Sequence, residues 1–263
     1  MRARLVSFAS IRDFLCFGLT IVAVVWLIVR GGEQMGYSWH WRQIPRAFFT
    51  LVDGQVAAGP LLQGLGVTLE ITGLSLLLAT GIGLTTALLR LSDSLVGRWL
   101  ARAYLELIRN TPLLVQIFFL YFVMAPIFEV SRTATAVLAL SLFEGAYASE
   151  IFRAGIQSIG RGQWEAGHSL GLSRYQTYRW VILPQALRRV LPPLTSQAVS
   201  LIKDSALVST IAVYDLTMQG RTIIAETFLT FEIWFVVAAI YLVLALTLST
   251  LANALERRTS RMV

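Results

Sequence analysis

The sequence predicts an all-α polytopic membrane protein with six transmembrane helices, and three observations carry that expectation. Apolar runs close to the roughly 20 residues needed to cross a bilayer recur along the chain. Only 14% of its 263 residues are charged, against about 25% in an ordinary soluble domain, and mean hydropathy is +0.67. The net charge of +7 sits in short basic blocks between the apolar runs, the pattern of cytoplasmic loops rather than of a nucleic-acid surface.

The first span is expected at Phe14 to Val29, preceded by Arg2, Arg4 and Arg12 and closed by Arg30. A cleaved signal peptide would need a small-residue site after the run. Arg30-Gly31-Gly32-Glu33 stands there instead, so the span is read as retained, with its N-terminus inside. The single cysteine, Cys16, rules out an internal disulfide and a cysteine-rich metal site, and is expected to be buried. His40 and His168 are too far apart in sequence to suggest a histidine metal site. Residues 31–63 read as a loop-like linker, with Trp39 and Trp41 at the membrane interface and a turn at Gly59-Pro60.

Leu65 to Leu89 is the second span, stopped by Arg90. Ala79, Gly83 and Ala87 recur every four residues and make a stripe where another helix approaches closely. Glu70 reads as a boundary residue. Arg90, Arg98 and Arg102 mark a cytoplasmic loop, and Tyr104 to Arg109 is expected along the interface. Thr111-Pro112 reads as an N-cap with proline at the first helical position, opening a third span that runs to about Phe128. The fourth span follows from Ala134 to about Ile156 and carries Glu144, Tyr147 and Glu150. A carboxylate at membrane depth is costly and normally faces a bundle interior or a water-filled path. Glu150 is one turn from Arg153 and pairs with it near the cytoplasmic end, which leaves Glu144 as the functional candidate.

A long polar stretch separates the fourth span from the fifth, from Gln157 to about Leu191. Gly171 ends a first short helix in the left-handed conformation, and Ser173 with Gln176 forms a capping box for a second. That second helix is expected to stop near Leu183, because Pro184 disfavours helical geometry before it. Its Tyr175, Tyr178, Val181 and Ile182 fall on one side. After Pro192-Pro193 the fifth span is expected from Leu194 to about Val213, with Lys203, Asp204 and Ser205 inside it. The sixth runs from Phe231 to about Leu251. With both ends inside, 17 of the 22 Lys and Arg residues fall on the cytoplasmic side or its flanks and 5 outside. That bias orients the chain and puts the polar stretch in the cytoplasm.

No catalytic constellation accompanies this layout. The one lysine, Lys203, follows Ile202, so no Gly-Lys-Ser/Thr phosphate loop exists, and any ATP-driven role needs a partner. Glu165-Ala166-Gly167, then Gly171, Val181 and Leu183-Pro184 at their spacings resemble the EAA loop of membrane subunits of binding-protein-dependent ABC importers. Gly167 replaces the usual third alanine and Val181 the usual isoleucine. The segments Gly66-Val67-Thr68-Leu69, Arg109-Asn110-Thr111-Pro112 through Gln116, Gly145-Ala146-Tyr147, Glu150 through Ile159, and Lys203 through Leu207 are similar to markers of the polar amino acid permeases, of the histidine, glutamine and glutamate type.

The resemblance covers about residues 64–255. It implies a five-helix type I ABC importer core to which one N-terminal helix and a periplasmic linker (residues 1–63) are added, with a cytoplasmic tail at 256–263. It implies a bacterial inner-membrane permease subunit with both termini cytoplasmic, not itself an enzyme. Its expected partners are two ATP-binding subunits, a second permease subunit (identical or paralogous), a solute-binding protein outside and a polar amino acid substrate. ATP and Mg belong to the ATP-binding partner, and this chain holds no cofactor or metal. Glu165, Ala166, Gly167, Gly171, Val181, Leu183 and Pro184 are the expected ATPase-coupling residues, on short coupling helices between the fourth and fifth spans. Glu144, Tyr147, Lys203, Asp204 and Ser205 are candidates for the substrate path, since polar groups at depth tend to line one. The alternatives are an ion-gradient-driven secondary transporter, with Glu144 as its ion site, and a membrane scaffold.

Overall fold

A computed structural model of the chain describes residues 8–34, 36–52 and 54–260. Arg2, Arg4 and Arg261, used in the charge count, lie outside the described residues. The chain divides into two units, Met1–Trp41 and Arg42–Val263. The first contains helix α1 (Phe8–Gln34), longer at both ends than the apolar run that predicts it. Cys16 is exposed on it, not buried as expected, because a single lipid-length helix has no protein core of its own in which to place a side chain. Beyond α1, Trp39 stacks on Trp41 at 5.8 Å and meets Tyr37 edge-on.

The second unit opens with structure where a loop was expected. Helix α2 (Pro45–Phe48) leads into a hairpin of β1 (Phe49–Val52) and β2 (Gln55–Ala58), paired from Phe49 with Ala58 to Val52 with Gln55. Helix α3 (Pro60–Leu91) follows directly. It starts five residues before the expected Leu65, because Gly59 is extended and Pro60 supplies a preset helical φ at the first position. Glu70 is an exposed residue in its third turn.

The small-residue stripe of α3 packs against α7 (Arg132–Gln157), with Ala79 and Ala87 buried. A Cβ on Gly83 would stand 2.7 Å from the Ala148 Cβ, so the two backbones approach at a spacing only glycine allows. Ser75 donates to the Val137 carbonyl and Ser141 to the Ser75 carbonyl across the same seam. The core around it gathers Ile71, Ile117, Leu140, Leu201 and Val208.

Between them, α4 (Leu95–Arg109) is capped by Ser94 and is a full helix where only Tyr104 to Arg109 was anticipated. The chain then bends by 106° into the segment Leu113–Phe128. Pro112, not Thr111, is the N-cap of α5 (Leu113–Phe118), and the Thr111 hydroxyl instead donates back to the Leu107 carbonyl. Gln116 explains the corner: its amide donates to the Ile108 carbonyl and to Thr111, satisfying groups left open where α4 ends. A wide π-turn (Phe119–Met124) and α6 (Ala125–Phe128) complete the segment, which ends at a left-handed Glu129.

Helices α8 (Arg161–Ser169) and α9 (Arg174–Thr177) form the polar stretch. The expected stop at Leu183 is absent. A π-turn (Tyr178–Ile182) carries the chain straight into α10 (Leu183–Asp204), with the Leu183 N–H donating to the Tyr178 carbonyl five residues back. The wider turn places Pro184 at the first turn of α10, where its missing N–H costs nothing. Pro192 and Pro193 likewise lie inside α10 rather than before a span. A 3₁₀ turn (Ser205–Ile211) follows, then α11 (Leu216–Thr227), unanticipated and capped by Asp215, and α12 (Thr230–Ser260).

Among the described residues three helices are long and apolar enough to cross a membrane, Pro60–Leu91, Arg132–Gln157 and Thr230–Ala252. The bent pair makes a fourth if counted as one span. The apolar part of α1 (Leu15–Gly31) is shorter than these. Helix α10 carries Arg188, Arg189, Gln197 and Lys203 and is not among them.

Candidate functional site

The polar stretch is an elbow built from local signals. At the end of α8 the Leu172 N–H donates to the Gly167 carbonyl at 3.1 Å and the Gly171 N–H to the His168 carbonyl at 2.9 Å. Those are the two bonds of a Schellman motif, and they need a left-handed residue where Gly171 sits, at φ +74°. Ser173 then closes the predicted capping box: the Gln176 N–H donates to its hydroxyl and its own N–H donates to the Gln176 side chain. Four residues, 170–173, thus separate one helix's stop from the next one's start, all tied by these bonds, and the bend has little freedom.

Packing underneath fixes the elbow to α10. Gly167 and Thr177 are both buried, and a Cβ on Gly167 would lie 2.5 Å from the Thr177 methyl. The departure from alanine at this position therefore has a partner in space: the threonine methyl fills what an alanine methyl would occupy. Trp164 packs on Tyr178, whose half-buried phenol is pushed above its ordinary pKa by desolvation. Gln185 donates to Gln163, and Arg189 to Ser158. Val181 and Leu183 are half-buried in this joint. Tyr175, expected on the same side, is exposed instead.

What remains outside is a compact face. Glu165, Ala166, His168, Leu170, Gly171 and Tyr175 are exposed on it, Leu170 at 78% and Tyr175 at 73%. Pro184 is exposed as well. The seven candidate coupling residues thus split by environment: four face outward, and Gly167, Val181 and Leu183 hold the elbow from behind.

The intramembrane candidates occupy two places. Glu144 is 2% exposed on α7 and accepts a hydrogen bond from Gln197 of α10, while its other carboxylate oxygen has no partner among the described residues. Asp204 closes the same helix α10. Lys203 beside it is exposed, and Ser205 is buried with its hydroxyl turned to the Ile202 carbonyl. Gln197 was missed by sequence reasoning; it stands in the polar run Thr195-Ser196-Gln197, which gave no signal of a partner on α7. Tyr147 lies elsewhere, tilted against Phe143 and under the Arg109 guanidinium at 5.7 Å.

Glu150 is more than half of a pair with Arg153. Arg90 from α3 and Arg109 from α4 reach it at 2.5 and 3.1 Å, and Arg153 at 2.7 Å, so one carboxylate joins the ends of three helices.

The model of the family described as binding-protein-dependent transport system inner membrane component matches residues 79–261. The chain is 43% identical over 201 residues to the glutamine transport system permease protein of Escherichia coli (strain K12), covering 75% of this chain and 92% of that one. It is 38% identical over 232 residues to the L-cystine transport system permease protein of Bacillus subtilis (strain 168), covering 87% and 95%. A solved amino acid ABC transporter with histidines superposes at a TM-score of 0.71 with 39% identity, covering 76% of this chain and 94% of that one. The chain belongs to the inner membrane components of binding-protein-dependent transport systems, the permease subunits of ABC importers, and has their type I fold.

Proposed function

We propose that this permease subunit carries a polar amino acid across the bacterial inner membrane and takes its driving force from ATP bound, with Mg, by a separate partner. The observation that carries the reading is the elbow. Its exposed face from Glu165 to Tyr175 rests on a buried Gly167–Thr177 contact and a half-buried Trp164–Tyr178 contact, from which the chain continues into α10 without a break. A push on that face is transmitted as a rigid displacement of α10, the helix bearing Gln197, Lys203 and Asp204. Two ATP-binding subunits would each grip one such elbow, on this chain and on a second permease copy or paralogue, while a solute-binding protein delivers substrate outside. In this reading the chain has six spans with both termini cytoplasmic, residues 1–63 being an added helix and periplasmic linker before the 64–255 transport domain. Glu144, Tyr147, Lys203, Asp204 and Ser205 would contribute to the path by alternating access.

The purified chain should hydrolyse no ATP, and hydrolysis should appear when the ATP-binding subunit is added. Uptake in reconstituted vesicles should cease on ATP depletion and survive collapse of the proton gradient. Uptake that persists without ATP would contradict the proposal and favour an ion-coupled carrier.

A further inference from the structure

Helix α4 has three faces. Gly97, Ala101, Leu105 and Ile108 are buried against the protein. Arg98, Arg102, Glu106 and Arg109 follow one another at three- and four-residue spacing along a charged stripe. Leu95, Val96, Trp99, Leu100 and Leu107 are exposed on the rest. Beside the charged stripe lies a cavity of about 300 Å³ between α3, α4 and α7, lined by Arg90, Arg102, Glu106, Arg109, Asn110 and Glu150 among others.

The charges in that cavity do not balance. Arg90, Arg109 and Arg153 share the single carboxylate of Glu150. Glu106 is engaged by the Asn110 amide at 2.9 Å. Arg102 has no ion pair among the described residues. Three guanidinium groups and two carboxylates, Glu106 and Glu150, therefore line the recess, and with Arg153 also drawing on Glu150 the positive charge remains in excess, with Arg102 outside these ion pairs. Guanidinium groups favour phosphate because their donors match its oxygens in pairs.

We propose that this cavity holds the phosphate of an anionic phospholipid, whose acyl chains lie on the exposed apolar face of α4. The charge count puts the α3–α4 turn on the cytoplasmic side, where anionic lipid headgroups are met at the depth of an interfacial helix. Trp99 on the outward face suits that depth. The headgroup completes the countercharge at the corner where α3, α4 and α7 meet. The ends of the same helices α3 and α7 flank the elbow. Tyr147, a candidate for the substrate path, also lines the cavity, and lipid retention is read without substrate or ATP.

The test is native mass spectrometry of the full chain released from mixed micelles with equal phosphatidylglycerol and phosphatidylcholine. The wild type should retain phosphatidylglycerol in preference. Arg102→Gln should lower that preference about fivefold, the share of one interfacial arginine. Arg98→Gln, an exposed neighbour outside the cavity, should not. Equal retention of the two lipids by the wild type would overturn the proposal, as would an Arg102→Gln protein matching the wild type or an equal loss in Arg98→Gln. Calorimetry with inorganic phosphate distinguishes the two phosphate sources: tighter binding of the free ion than of the lipid would overturn the lipid assignment. Because Arg102 is exposed, its replacement leaves folding intact.

Discussion

Gly171→Val should reduce uptake to background while the protein remains inserted and assembled with its partners. Gly171 stands at φ +74°, where a side chain crowds its own backbone at a cost of about 1–2 kcal/mol, most for a β-branched residue. A Cβ there would meet nothing within 4 Å, so the substitution disturbs no packing and leaves the spans as they are. Its whole effect falls on the bend between α8 and α9. Relief of the strain breaks the two bonds from Leu172 and Gly171 back into α8, and the exposed face loses its fixed angle to α10. Gly171→Asn should keep a large part of the activity, because asparagine tolerates the left-handed region. Uptake by reconstituted complex, read beside size-exclusion of the same preparation, checks both. Normal uptake by the valine variant would remove the elbow from the mechanism.

Glu150→Ala should be the most destabilising single change at the cytoplasmic ends of the helices. It removes the common acceptor of Arg90, Arg109 and Arg153 and leaves three positive charges facing one another. Breaking a fully buried pair costs roughly 3–5 kcal/mol. The Glu150 side chain is 24% exposed, and water recovers part of the loss, so about 2–3 kcal/mol is expected. Glu150→Gln should fall between alanine and wild type, because it keeps an acceptor but loses the charge. Thermal unfolding of the detergent-solubilised protein, followed by tryptophan fluorescence, measures the order of the three. An alanine variant that melts with the wild type would show that the clasp contributes nothing to stability.

Features set by neighbouring residues were legible in the sequence. Gly171, the Ser173–Gln176 box and the four-residue stripe of Ala79, Gly83 and Ala87 all appear where their spacing puts them, since each depends on a single turn or a single helix face. Prolines misled in the same local way. Pro184 and Pro193 read as breaks, yet a π-turn absorbs the first, and α10 runs through the second while packed against α3, α7 and α12. Thr195 donates to the Pro192 carbonyl within that stretch. In a helix held by neighbours, packing offsets the loss of two backbone bonds, which periodicity cannot reveal. The clasp was invisible for a different reason. Arg90 and Arg109 lie 60 and 41 residues from Glu150, and only the meeting of α3, α4 and α7 brings them together. The Gln197 partner of Glu144, 53 residues away, belongs to the same class. So does the Thr177 methyl, which turns an apparent defect at Gly167 into a fitted contact.

The central claim is that the face from Glu165 to Tyr175 is where an ATP-binding partner acts. Site-directed cross-linking reports on it most directly. With Cys16 replaced by serine, the chain has no other cysteine, and Ala166→Cys places one thiol on the exposed face. Under a short thiol-to-amine cross-linker, position 166 should join the ATP-binding subunit, with a yield that changes when ATP is added. Tyr214→Cys, exposed between α10 and α11 at the opposite end of α10, should give none. No cross-link at 166 in an assembled complex, or equal yield from both positions, would contradict the coupling role.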